Sequence, residues 1–282
     1  MDVKNWSMDW AGKSLSIEMG KLAQQTNASC TVRYGDTVIL ATAVMSKDTR
    51  DGIDFFPLSV EFEEKLYAAG KIKGSRFVKR EGRPSDEAIL TGRMIDRAIR
   101  PLFDENMRND VQIILTALCV DGEHDTQITA FLAASAVLAV SNIPWAGPIG
   151  CAKVGRVDNK WILNPNHEER EKSDSDIIVT GTPEKVIMVE AGCLEMTEDD
   201  VISGMKFGAN ELQPVIDFIN KIVSEAGSEK INMQANKKEL DVELEKKEEE
   251  IKEFVSNKVD EWIFDSIKKG RTERMEMVLQ WR

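Results

Sequence analysis

The sequence has no run of about 18 apolar residues, the length that a membrane-crossing helix needs. Its start, Met1 to Trp10, carries Asp2, Lys4 and Asp9 where a secretory leader would have an apolar block. A soluble, cytoplasmic chain without membrane contact is the expectation. The four cysteines, Cys30, Cys119, Cys151 and Cys193, contain no C-x-x-C pair and three stand in apolar surroundings, which favours buried free thiols over disulfides or zinc. The two histidines, His124 and His167, are isolated, without the i,i+4 partner that would suggest a metal ligand. Positive charge is the scarcer sign, 37 Lys and Arg against 49 Asp and Glu, for a net charge of −12. A polyanion repels nucleic acid unless basic groups are gathered locally, so their distribution matters more than the sum.

What is present suits a folded chain: 42% hydrophobic and 30% charged residues, with no Pro/Gly-rich low-complexity stretch. At 282 residues, a core of roughly 200 plus an appendage is expected. Leu15, Ile17 and Met19 alternate, Cys30–Tyr34 and Thr37–Val44 flank a Gly35-Asp36 turn, and Ile53–Phe62 is extended, which reads as strands and hairpins. Residues 65–83 break the pattern with Gly70, Gly74 and Gly82, which reads as a mobile loop. Pro84 and Ser85 open a helix that Pro101 ends; Val111–Val120 reads as a buried strand and Thr126–Val140 as an Ala-rich helix. Cys151–Val157 and Lys160–Leu163 form a hairpin around Asp158-Asn159, the strands Ser175–Thr180 and Lys185–Glu190 follow, and one long helix runs from Thr197 to Glu225. The class is α+β, with a mixed sheet, packed helices and two βαβ-like halves. After Gly227, residues 237–261 are Lys- and Glu-rich with apolar residues at helical spacing, so the division is a core, 1–229, and a short all-helical module, 230–282. The chain stops at Trp281-Arg282 without a capping signal, as a truncated one would.

Charge reverses locally. Between Gly70 and Pro101 stand nine basic residues against four acidic ones, and Arg93, Arg97 and Arg100 fall at i, i+4 and i+7 on one helix face. Such a face suits a row of phosphates, and Phe77 beside Lys79 and Arg80 offers an aromatic plane for a base next to two cations for the backbone, as single-stranded nucleic acid requires. The same spacing equally suits ion pairs of the three arginines with Asp96, Asp104 or neighbouring subunits.

The stretches Asp54-Phe55-Phe56-Pro57-Leu58, Tyr67-Ala68-Ala69-Gly70-Lys71-Ile72, Lys79-Arg80-Glu81-Gly82-Arg83-Pro84-Ser85 and Arg93 to Phe103 resemble the first core domain of bacterial polynucleotide phosphorylase. Gly147-Pro148-Ile149-Gly150, Leu163-Asn164-Pro165 and Val189-Glu190-Ala191-Gly192 extend the resemblance over roughly residues 10–227. It implies a ribonuclease PH-like (ribosomal protein S5 domain 2-like) core followed by the start of a helical domain. The whole enzyme would carry a second core domain and KH and S1 domains, three chains forming a ring. The implied activity is a magnesium- and phosphate-dependent 3′–5′ exoribonuclease of mRNA degradation, a nucleotidyltransferase that releases nucleoside diphosphates and runs backwards as a template-free polymerase. Phe77, Val78, Lys79 and Arg80 resemble the family's RNA-gripping FFRR loop, with Arg76 as an extra residue.

In that family the phosphate and metal site lies in the second core domain, as a Ser-rich helix start and a D-x5-D-x-K run. By the internal pseudo-repeat, His124, Asp125, Thr126 and Gln127 stand here for the first motif and Arg170, Asp176 and Ile178 for the second; only Asp176 keeps its type. This chain is therefore expected to hold no catalytic or metal ligand residues, and neither magnesium nor phosphate specifically. Its expected RNA-binding residues are Phe77, Lys79, Arg80, Arg93, Arg97 and Arg100, and its expected partners single-stranded RNA, two further copies in a homotrimer and an RNA degradation complex. The alternatives are a stand-alone tRNA-trimming ribonuclease PH and a purely structural or RNA-binding relative.

Overall fold

The computed structural model of the protein describes residues 3–50, 52–72, 74, 83–232, 247 and 249–256. The chain divides into two compact units, Met1–Ile231 and Asn232–Arg282. In the second, residues 247 and 249–256 are helical, and Ile251, Phe254 and Val255 are exposed. The rest of the helix expected over 237–261 lies outside the described residues.

The first unit opens with four antiparallel strands in sequence order: β1 (Lys4–Trp10), β2 (Lys13–Met19), β3 (Ala28–Tyr34) and β4 (Thr37–Thr49). β1 was not among the expected elements, although Trp6, Met8 and Trp10 alternate with polar Asn5, Ser7 and Asp9 at the period of a strand with one buried face. Gly35, in the turn between β3 and β4, has a φ of +60°, where a side chain is strained, and a Cβ there would meet His124 Cε1 at 2.7 Å. After β4 comes β5 (Leu58–Glu63), then α1 (Asp86–Ile99), then β6 (Asn109–Cys119), which lies parallel to β5, so this stretch is a βαβ unit. The six-stranded sheet has the order β1-β2-β3-β4-β6-β5. Val111, Ile113, Leu115 and Ala117 bury alternate positions of β6, the period of a strand with one face on a core.

The next helix, α2 (Thr126–Val140), is apolar on every side, and Ile128 to Val140 are all buried. It packs on β3, β4 and β6 as well as on α1. Its C-terminus is closed by the Lys230 ammonium, which donates to the carbonyls of Leu138, Ala139 and Ser141 at 2.7, 3.0 and 2.8 Å. Burial pushes the Lys230 pKa down to about 8.

A second sheet follows. β7 (Gly150–Val157) and β8 (Lys160–Leu163) turn at Asp158 and Asn159, both in the left-handed region with φ 49° and 59°. Then come α3 (His167–Lys172), opened by an Asn166/Glu169 capping box, and β9 (Ser175–Gly181) and β10 (Val186–Cys193). This sheet is antiparallel throughout, in the order β10-β9-β7-β8, so the expected second βαβ half is absent. The helix expected over Thr197–Glu225 is two helices, α4 (Glu198–Asn210) and α5 (Gln213–Ala226). Pro214 accounts for the break: it has no N–H to donate, and in a continuous helix its ring would meet the carbonyl four residues earlier. The unit is α+β, with helices packed on mixed and antiparallel sheets.

All four cysteines are free thiols; Cys30 and Cys151 are buried, Cys193 is half-buried and Cys119, last in β6, is exposed. Burial pushes the Cys30 thiol up to about 12 and raises that of Cys151, so neither supplies a thiolate near neutral pH.

Candidate nucleic-acid interface

The basic helix is held at both ends. Ser85 caps α1, its Oγ accepting from Ala88 N at 3.0 Å and donating to Glu64 Oε2 at 2.6 Å, which ties the helix start to the end of β5. Mid-helix, Gly92 lets the backbones approach, since a Cβ there would stand 2.9 Å from Val60 O. At the far end Trp145 Nε1 donates to Ile99 O at 3.0 Å, and the rings of Phe56, Phe103 and Trp145 pack in a row.

On this anchored helix the three arginines have different surroundings. Arg93 is exposed and has no hydrogen-bond or ion-pair partner among the described residues. Arg97 is paired with Glu190 on β10. Arg100 is bound to Asp96 through Nε (2.7 Å) and Nη2 (2.6 Å), and donates to Phe56 O (3.1 Å) and Leu58 O (3.3 Å). Its guanidinium also lies over the Phe56 ring, 5.7 Å from the centroid. With four hydrogen bonds made, Arg100 keeps one free N–H of its five. The face is thus graded from a free cation to a committed one. The Asp96 pairing matches one of the alternatives raised by the spacing; the Asp104 carboxylate instead accepts from Asn106 N at 2.8 Å. Phe77, Lys79 and Arg80 lie outside the described residues.

Beside Arg93 and Arg97 runs an open groove of about 740 Å³ between α1 and β5, with Leu58, Val60, Leu90 and Met94 as apolar lining and Glu190 at one side. Sequence reasoning did not single out Glu190 as a site residue. It stands 93 positions from Arg97, a separation that no local spacing rule reaches.

The positions aligned with the family's phosphate and metal motifs form a different cluster. Asp125 caps α2 by accepting from Gln127 N at 2.9 Å, and its Oδ2 also accepts from Lys153 Nζ at 2.8 Å and Arg170 Nη1 at 3.0 Å. Asp176, the second residue of β9, pairs with the same Lys153 at 3.1 Å, and Ile178 is buried. Two carboxylates thus answer two cations, and Lys153, a lysine inside a buried strand, is the organising residue. Among the described residues no three His, Cys, Asp or Glu side chains gather as metal ligands do. The donor set here does not fit magnesium, because its carboxylates are already neutralised.

Residues 11–144 match domain 1 of the 3′ exoribonuclease family, RNase PH, and residues 147–211 match domain 2 of the same family. The chain belongs to the 3′ exoribonuclease family. Relatives include the polyribonucleotide nucleotidyltransferase of Heliobacterium modesticaldum, 45% identical over 275 residues, 98% of this chain and 38% of that protein. That of Clostridioides difficile is 44% identical over 279 residues, with the same coverages of 98% and 38%. That of Ruminiclostridium cellulolyticum is 48% identical over 232 residues, 82% of this chain and 33% of the relative. The chain therefore spans little more than a third of the length of the curated relatives it matches. The crystal structure of rice Rrp46 superposes with a TM-score of 0.59 at 15% identity, over 79% of this chain and 94% of that one, a likeness of fold alone. The ribonuclease PH-like fold expected from the motifs is the one observed. No helix among the described residues is long and apolar enough to cross a membrane.

Proposed function

We propose that this chain is the first ribonuclease PH-like core, with the start of a helical domain from about residue 230, of a longer phosphate-dependent 3′–5′ exoribonuclease. The observation that carries the reading is the 45% identity to polyribonucleotide nucleotidyltransferases across 98% of the chain. In the whole enzyme, a phosphate oxygen attacks the terminal phosphorus of an RNA 3′ end, the bond to the preceding O3′ breaks, and a nucleoside diphosphate leaves. Positioning and charge stabilisation supply most of the acceleration in such transfers. We assign that chemistry, with its phosphate and magnesium, to a second core domain outside this chain.

The part of this chain is to hold single-stranded RNA in a cytoplasmic homotrimer engaged in mRNA degradation, alone or within a degradation complex. Phe77, Lys79, Arg80, Arg93 and Arg97 contact the strand, while Arg100 adds its charge and braces the helix. Supporting this is the exposure of Arg93 and Arg97 on a helix fixed at both ends, with apolar groove surface beside them for a base.

Binding of labelled poly(A) across a salt series tests the role. Each phosphate contact adds about 0.7 to the slope of log K against log salt for single strands, so Lys79→Gln with Arg80→Gln flattens it by roughly one to two. Unchanged affinity and slope in that variant would remove the loop from the interface.

A further inference from the structure

The Arg97–Glu190 pair stands apart from the other charge pairs of α1. Its partners come from different elements, α1 and β10, and both side chains are about half exposed, 55% and 51%. An exposed pair of this kind adds little to stability. Asp96, the other acidic residue beside the groove, is held by Arg100 in a two-point bond and is no rival for Arg97. Glu190 makes no other hydrogen bond through its side chain among the described residues, so its carboxylate is the one group there set against Arg97.

Arg93 and Arg97 are one helical turn apart and line the same groove. An anion that meets Arg93 finds a free guanidinium; one that meets Arg97 finds a guanidinium already facing a carboxylate. We infer that Glu190 is a built-in competitor for Arg97, its carboxylate occupying the place that an RNA phosphate takes in the α1 groove and so setting how tightly the strand is held. The inference rests on the proposed RNA-binding role of this face.

Competition has a signature that mere ion pairing lacks. When phosphate displaces Glu190, the freed carboxylate gathers its own counterions, which offsets part of the counterion release from the RNA. Removing the carboxylate then raises affinity and also steepens the salt dependence.

The test measures binding of a labelled oligo(A) strand, by fluorescence anisotropy over a salt series, to the wild-type chain, Glu190→Gln, Arg97→Gln, Arg93→Gln and the Glu190→Gln/Arg97→Gln double variant. With Glu190→Gln the expected result is binding tighter by about two- to fivefold at low salt, the range an exposed pair spans. The slope should steepen by up to about 0.7, one phosphate contact. Both gains should vanish in the double variant. Unchanged binding in Glu190→Gln, or a gain that persists without Arg97, overturns the inference. If Arg97→Gln and Arg93→Gln weaken binding while Glu190→Gln is neutral, the RNA-binding role stands and the competitor role alone fails. If neither arginine change weakens binding, both fall together. Thermal melting of each variant checks the fold, which an exposed, nearly isosteric Glu190→Gln change leaves in place.

Discussion

Asp121 holds the turn before α2 by accepting from the amides of Glu123 (2.9 Å), His124 (2.9 Å) and Asp36 (3.1 Å) and from the His124 ring. Burial alone would raise its pKa, but the bonds from His124, Glu123 and Asp36 outweigh that and hold the carboxyl well below the usual range. A folded-state pKa below the unfolded one contributes stability that is fully present above the unfolded value near 4 and is lost progressively as pH falls from there through the depressed folded value. Asp121→Asn is therefore expected to cost about 1–3 kcal/mol at pH 7, with a smaller difference from wild type at pH 3. Urea titrations of both proteins at the two pH values check this; an equal difference at both would contradict it. None of this was legible in the sequence, where Asp121 reads as one more turn aspartate. The bonds from His124 and Glu123 are local, and the one from Asp36, 85 positions away, reaches it across the sheet end.

At the scale of elements, α1 was legible because its signals are local: Ser85 as a cap, Asp86 and Glu87 in the first turn, an apolar stripe, and Pro101 just past its end. The three arginines share a face by spacing alone. Their grading from free to committed is tertiary, since the backbone carbonyls of Phe56 and Leu58 and the carboxylate of Glu190 arrive from β5, the residues before it, and β10. The closeness of α1 to β5 gives a prediction opposite to helix propensity. Alanine normally stabilises a helix interior over glycine by up to about 1 kcal/mol. At Gly92 the added Cβ would meet the Val60 carbonyl at 2.9 Å, a backbone atom that cannot rotate away. Gly92→Ala is expected to destabilise by roughly 1–3 kcal/mol, measured by thermal or urea unfolding. A stabilised variant would mean that α1 does not rest this closely on β5. The break between α4 and α5 was legible at Pro214 and was overrun by the continuous apolar periodicity around it.

At the scale of the whole molecule, the chain by itself is expected to release no detectable nucleoside diphosphate from poly(A) with phosphate and magnesium. The reaction needs a phosphate held in line and charge stabilised on its oxygens. Here the α2 start is capped by Asp125, and Lys153 and Arg170 are spent on Asp125 and Asp176. A diphosphate-release assay against Asp176→Ala as the blank decides it; phosphate-dependent release that vanishes in Asp176→Ala would place a catalytic centre in this chain. The amino-acid sequence alone determined the family, because long motifs from Asp54 to Phe103 are covalent facts, and it determined most strands and helices, because their periodicities are local. Only the tertiary structure decided the separation into two sheets, the placing of Glu190 against Arg97, and the gathering of Asp125, Lys153, Arg170 and Asp176 into one neutral cluster. The physical reason is range: a hydrogen-bond or hydrophobic period acts over a few residues, whereas the partner of a charge is whichever opposite charge packing brings within about 4 Å, however far along the chain it lies.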